Sequence, residues 1–280
     1  MVQTTELIPA AALRNHIRCY NLRQFDTNGE EMCKALPAAP GIFLSFWLSA
    51  DPVYFVAGGR VTAVNTRERQ LLGMQTGYAG HLSFSGGYQL FGIEFKAGGF
   101  HRIFGTEVQA MTNELLEGDA VLGSPLALLQ EQLQEAGTLH ELKEFTDRFL
   151  LSCLWKNPGI GDCRIDKVVN HIIGGKGLVN MEWLANQANM SFRSFENKFS
   201  RQVGLSPKLY SRIIRFNHAL ALKMAMPAER WTSIAHACGY YDQMHFIKDF
   251  KAFAGETPNT FLKQMPTLRE DITVLGAPDL

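Results

Sequence analysis

NMEWLANQANMSFRSFENKFSRQVGLSP, residues 180–207, and RWTSIAHACGYYDQMHFIKDFKAFAGETP, residues 230–258, carry one pattern of side chains twice. Met181, Leu184, Ala185 and Ala188 fall at i, i+3, i+4 and i+7 in the first copy, and Trp231, Ile234, Ala235 and Cys238 do so in the second. Each set is one apolar stripe of a helix. Asn189-Met190 or Gly239-Tyr240-Tyr241 follows as a short turn, Asn and Gly being residues that tolerate a left-handed backbone. Ser191 or Asp242 then offers a cap for a further helix, in which Phe195 and Phe199 are matched by Phe246 and Phe250. The copies close on Gly204-Leu205-Ser206-Pro207 and Gly255-Glu256-Thr257-Pro258. The pattern predicts two helix-turn-helix units in tandem. Their offset is 50 residues at Met181 and Trp231 and 51 at Pro207 and Pro258, so the register slips by one residue, in the turn.

Between the copies, Ser206-Pro207 starts a helix with Pro in its first turn, and Leu209, Ile213, Phe216, Leu220 and Met224 mark a helix that ends before Pro227. From Pro207 to Ala225 this rod is roughly 28 Å long at 1.5 Å per residue. It can hold two recognition helices about one turn of DNA apart, roughly 34 Å. Charge follows the repeat. Residues 164–264 carry 14 Lys and Arg against 7 Asp and Glu, residues 1–163 carry 12 against 17, and the chain as a whole is neutral. A phosphate-binding surface requires this placement of positive charge.

The run from Arg212 to Phe261, with LANQANMSFRSFENKFSRQVGLSPKLY before it, resembles the AraC family of bacterial transcription regulators over about 100 residues, Arg164 to Gln264. The resemblance implies an all-α tandem helix-turn-helix domain that reads double-stranded DNA with the exposed face of each second helix. Here that means Arg193, Glu196 and Asn197 in the first unit and Gln243, Met244, Ile247 and Lys248 in the second as base readers. The residue types suit the role: Arg reads guanine, Asn or Gln reads adenine, Glu accepts from cytosine, and Met or Ile meets a thymine methyl. Arg201, Lys208, Arg212 and Lys251 are the candidate phosphate contacts.

Upstream, HIRCYNL, GIFLSFWLS, PVYFVAGG, LLGMQTG, HLSFSGG and QLFGIEF are short apolar runs broken by Gly, Pro and Asn, which read as strands of an antiparallel β-barrel or sandwich. GIEFKAGGFHRIFG, residues 92–105, resembles the end of the cupin-like module that some AraC-family regulators carry. His81 is the only His between His16 and His101, and no H-x-H occurs, so a cupin metal site is not expected. His101 and Arg102 after Gly98-Gly99 could meet an anion or form a solvated helix start. Phe43, Phe46, Trp47, Tyr54 and Phe55 could line a ligand pocket or pack as core. Two helices should follow, Ser124–Glu135 and Leu139–Leu154, and the family resemblance implies that such a hairpin mediates dimerisation.

The expected organisation is α+β and multidomain: a cupin-like antiparallel β-barrel with a helical hairpin at 1–156, a linker at 157–163, an AraC-type DNA-binding domain at 164–266 and a tail at 267–280. The expected function is transcription regulation, with the N-terminal domain sensing a small-molecule effector or mediating homodimerisation, and RNA polymerase as a further partner if the protein activates. A regulatory protein partner in place of the small molecule, or a catalytic domain targeted to DNA, is the alternative. The five cysteines are scattered without a C-x-x-C pair, and no P-loop, G-x-G-x-x-G or paired-carboxylate motif stands out, so no cofactor, metal or catalytic residue is expected. No run of 18 apolar residues and no leader pattern occur, which implies a cytoplasmic protein without a membrane partner.

Overall fold

The computed structural model describes residues 2–158 and 163–264. The N-terminal strands are β1 (Gln3–Leu7), β2 (Ile17–Asp26), β3 (Met32–Leu36), β4 (Ile42–Ala50), β5 (Val53–Ala57), β6 (Arg60–Val64), β7 (Gln70–Leu72), β8 (Gly80–Phe84), β9 (Gly87–Phe95) and β10 (Leu115–Glu117). They form two antiparallel sheets in the orders β1-β2-β9-β4-β7-β10 and β3-β8-β5-β6. The short apolar runs are therefore strands of two antiparallel sheets, as the barrel-or-sandwich expectation required.

Alternation along β2 and β4 sorts the side chains into two layers. Tyr20, Leu22, Leu44 and Phe46 join the main core, whereas Trp47, Val53, Phe84 and Tyr88 form a separate cluster between the sheets. Helices cover the first layer: α1 (Gly99–Phe104), α2 (Gly118–Leu122), α3 (Pro125–Glu135) and α4 (Leu139–Lys156). Thr138 and Glu141 form a reciprocal capping box that starts α4, and Pro125 opens α3. Asp147 of α4 accepts from the Tyr20 hydroxyl at 2.7 Å and from the Ala10 N–H at 2.9 Å, pinning the hairpin to β2.

Helices α5 (Cys163–Gly174), α6 (Met181–Gln187), α7 (Phe192–Val203), α8 (Pro207–Ala225), α9 (Trp231–Ala237), α10 (Gln243–Ala254) and α11 (Pro258–Gln264) form the C-terminal half. Within the segment 157–163 expected as a linker, residues 159–162 lie outside the described residues, as do 265–266 and the tail 267–280. Asn157 is the cap of α4 and is tied back to α1, accepting from Arg102 at 2.8 Å and donating to Ile103 O at 2.9 Å. Of the two alternatives for the start of α1, an anion contact or a solvated helix start, Arg102 is thus occupied by a backbone carbonyl, and His101 likewise bonds inward, with Nδ1 2.8 Å from Thr106 O.

The two halves touch along defined lines. The Ala38 N–H donates to Phe253 O at 2.8 Å and Asn217 Nδ2 donates to Ala38 O at 3.2 Å. The Val108 N–H donates to Arg201 O at 3.3 Å and the Thr112 hydroxyl to Gly204 O at 2.9 Å. The β-domain thus grips the C-terminal ends of α7 and α10 together.

Candidate nucleic-acid interface

Each helix-turn-helix unit is built by the same local chemistry. Asn180 caps α6 by accepting from the Trp183 N–H at 2.9 Å, and Asn189 takes φ 50° in the turn. Ser191 then caps α7 through the Ser194 N–H, and Phe195 and Phe199 are buried. In the second unit Gly239 takes φ 66°, and a Cβ there would also meet a Leu178 methyl at 2.6 Å. Asp242 caps α10 through the His245 N–H at 2.8 Å. That N–H, and then the His245 ring, hold the Asp242 carboxyl below its ordinary value. Phe246 and Phe250 repeat the burial. Trp231 stands against both rings at 5.5 and 5.3 Å between centroids, so α9 and α10 share one aromatic core.

With these phenylalanines turned inward, the opposite faces of α7 and α10 are left to solvent. Arg193 and Asn197 are exposed on α7 and Glu196 is half-buried. On α10, Gln243, Lys248 and Met244 are exposed, Met244 at 80%, and the preceding Tyr241 is 93% exposed. Ile247 is half-buried against the core, which leaves it only an edge to offer. Exposed apolar side chains of this size beside polar ones are what a surface for base edges presents. One open groove runs from Phe192 at the start of α7, past Lys208 and Arg212 of α8, to Tyr241, His245 and Lys248 at the start of α10. Of α7, only Phe192 reaches this groove. A smaller hollow on α7 is formed by Ser191, Arg193, Asn197 and Arg201.

The four candidate phosphate contacts divide. Lys208 and Lys251 are exposed. Arg212 is held by Asp249 of α10 at 2.7 Å and lies over the Phe253 ring at 5.2 Å. Its guanidinium is raised above its ordinary value, first by the hydrogen bond to Asp249. Arg201 donates through Nε to Glu107 of the β-domain at 3.0 Å, with a second bond from Nη2. Two of the four cations expected to stand free thus have carboxylate partners, because the tertiary fold brings acids from distant parts of the chain to them. Tyr241, read from the sequence only as a turn residue, and His245 are not among the expected DNA contacts. Their place at the turn and first helical turn, with polar neighbours on both sides, was the available signal.

A second concavity lies between the two sheets, about 330 Å³ in volume and lined among others by Arg23, Phe43, Trp47, Phe55, Leu82 and Phe84. Of the five aromatics considered for a pocket, Phe43, Trp47 and Phe55 face it, Phe46 packs in the other layer, and Tyr54 is exposed. Among the described residues no group of three His, Cys, Asp or Glu could hold a metal ion, and no helix is long and apolar enough to cross a membrane.

Residues 184–264 match a family model described as a helix-turn-helix domain, and residues 5–117 match one described as a domain of unknown function (DUF6597). Over 86 residues the chain is 28% identical to the HTH-type transcriptional activator RhaS of Pectobacterium atrosepticum, a match that covers 31% of this chain. The chain spans only 30% of that relative's length. Among solved structures, ToxT from Vibrio cholerae is similar at 13% identity and a TM-score of 0.47, over 87% of this chain and 97% of ToxT. A cupin domain from Bordetella pertussis aligns with 34% of this chain and 94% of its own length, at 12% identity and a TM-score of 0.25.

Proposed function

We propose that this chain, an AraC-family protein by its tandem helix-turn-helix domain, is a sequence-specific DNA-binding transcription regulator whose β-domain holds a small-molecule effector. The observation that carries the reading is the exposed face on each second helix, Arg193 and Asn197 on α7 and Gln243, Met244 and Lys248 on α10, which suits one protomer to two successive major-groove faces of one duplex. Arg193, Glu196 and Asn197 read bases in one half of the site, and Gln243, Met244, Lys248 and the edge of Ile247 in the other. Lys208 and Lys251 meet phosphates directly. Arg201 and Arg212 join them only where DNA displaces Glu107 or Asp249. The domains run from 1 to 156 and from 164 to 266, and homodimerisation uses the helical hairpin, whose Leu128 and Trp155 are exposed at 59% and 71%.

Selection of binding sites from random DNA tests the reading. Arg193→Ala is expected to relax base preference in one half of the footprint and Gln243→Ala in the other, each by about 1–3 kcal/mol. If both variants lose preference at the same base pairs, the tandem reading falls.

A further inference from the structure

Arg23 lies on β2 and is paired in register with Leu90 of β9, which is paired in turn with Trp47 of β4. These three residues line the cavity between the sheets, and Arg23 and Trp47 are two strands apart, roughly 10 Å. Arg23 is only 6% exposed. Among the described residues, nothing hydrogen bonds to its Nε or Nη2, and its recorded neighbour is the Phe43 ring, 5.9 Å from the guanidinium carbon. A guanidinium is always charged, and burying it without a counter-charge is strongly unfavourable. The rest of the lining is mostly apolar, with Phe25, Met32, Leu82 and Phe84 coming from three strands, β2, β3 and β8, and its polar members include Lys34, Gln75 and Glu114. At about 330 Å³ the space is at the small end of the range for small-molecule sites, roughly 300–1,000 Å³.

We infer that the cavity binds a small amphipathic carboxylate, its anionic head paired with Arg23 and its apolar body lying across Leu90 toward Trp47. This rests on the reading of the β-domain as the effector domain and gives the effector's chemical class. A planar carboxylate matches the fork of a guanidinium and supplies the missing acceptors, while the aromatic wall matches a short apolar chain or ring.

Cinnamate and heptanoate, each against its alcohol, are the probes, read on the full chain by calorimetry and by tryptophan fluorescence. The acids are expected to bind wild type about tenfold or more tightly than the alcohols, and Arg23→Met is expected to abolish that preference. Without ligand, Arg23→Met is expected to melt higher than wild type, because an apolar side chain replaces an unpaired buried charge, and Arg23→Lys is expected to retain part of the acid preference. Equal binding of acids and alcohols, absence of acid binding to wild type, or an Arg23→Met protein that melts lower would each overturn the inference. DNA binding is measured on the same preparations. DNA binding without acid preference sinks this inference alone, and acid preference without DNA binding sinks the regulator reading alone.

Discussion

Ser191 and Asp242 each accept a backbone N–H at the start of a second helix, and that single bond sets the angle at which the helix leaves its turn. Asp242→Ala is expected to lower the melting temperature of the full chain by removing the cap of α10, with a loss of DNA affinity. Arg212 and Lys208 look alike in the sequence, both basic and near the start of α8, but only Arg212 has a carboxylate and a ring around it. Arg212→Ala should therefore lower the melting temperature by loosening α8 from α10, by about 1 kcal/mol, with an unchanged salt dependence of DNA binding. Lys208→Ala should do the reverse, leaving the melt unchanged and reducing the salt slope by about one unit. Equal salt slopes for the two variants would show that Arg212 leaves Asp249 for a phosphate in the complex.

The elements that hold α7 and α10 to the β-domain are two loops that also border the cavity. Gln75 and Ala79 line it on either side of Gly77-Tyr78, where a Cβ on Gly77 would lie 3.0 Å from Ala252 O and one on Gly255 would meet the Tyr78 ring at 2.7 Å. Asn113, Glu114 and Leu115 line it directly after Thr112, which bonds Gly204 at the end of α7. These loops thus serve both as wall of the cavity and as part of the joint to α7 and α10. The Glu107–Arg201 pair belongs to this joint and is more than half exposed on both sides. Glu107→Gln is accordingly expected to raise DNA affinity about two- to fivefold at low salt, the range an exposed ion pair can supply, and the gain should shrink as salt is added. An unchanged affinity in a gel-shift titration would show that the pair does not restrain Arg201.

At the scale of the whole molecule, two half-buried histidines tie stability to pH. The His16 imidazole is held below its ordinary 6.5 by burial and by the charges of Arg102 and Lys96, and His218 by burial and Lys176. In both cases the folded chain favours the neutral ring. The stability this confers is complete above pH 6.5 and is lost as the pH falls through the lowered values. Melts taken from neutral pH down to about 5 should show a progressive drop, and His218→Gln should flatten it. A drop that persists unchanged in His16→Gln and His218→Gln would assign it to other groups.

The C-terminal architecture was legible in the sequence because it is local. A helix stripe, a left-handed turn residue, a cap and a pair of phenylalanines four apart each act within a few residues, and their recurrence at Met181 and Trp231 fixed two units and the rod between them. Six of the strands, β2, β4, β5, β7, β8 and β9, and the hairpin at Pro125–Glu135 and Leu139–Lys156 were readable for the same reason, whereas β1, β3, β6 and β10, the four edge strands, carry no comparable apolar run and were not. Long-range pairing was not. Period-2 alternation places Arg23 opposite Leu22 along β2, but only the register of β2 against β9, and of β9 against β4, with the second sheet over them, decides that Arg23 faces a cavity and that its Nε and Nη2 lack a partner. In the same way, Arg201 and Glu107 are 94 residues apart, and Arg212 and Asp249 are 37 apart. A charge carries no sequence mark of the carboxylate it will meet, so the fold alone separates a cation held in a joint from one left free for DNA.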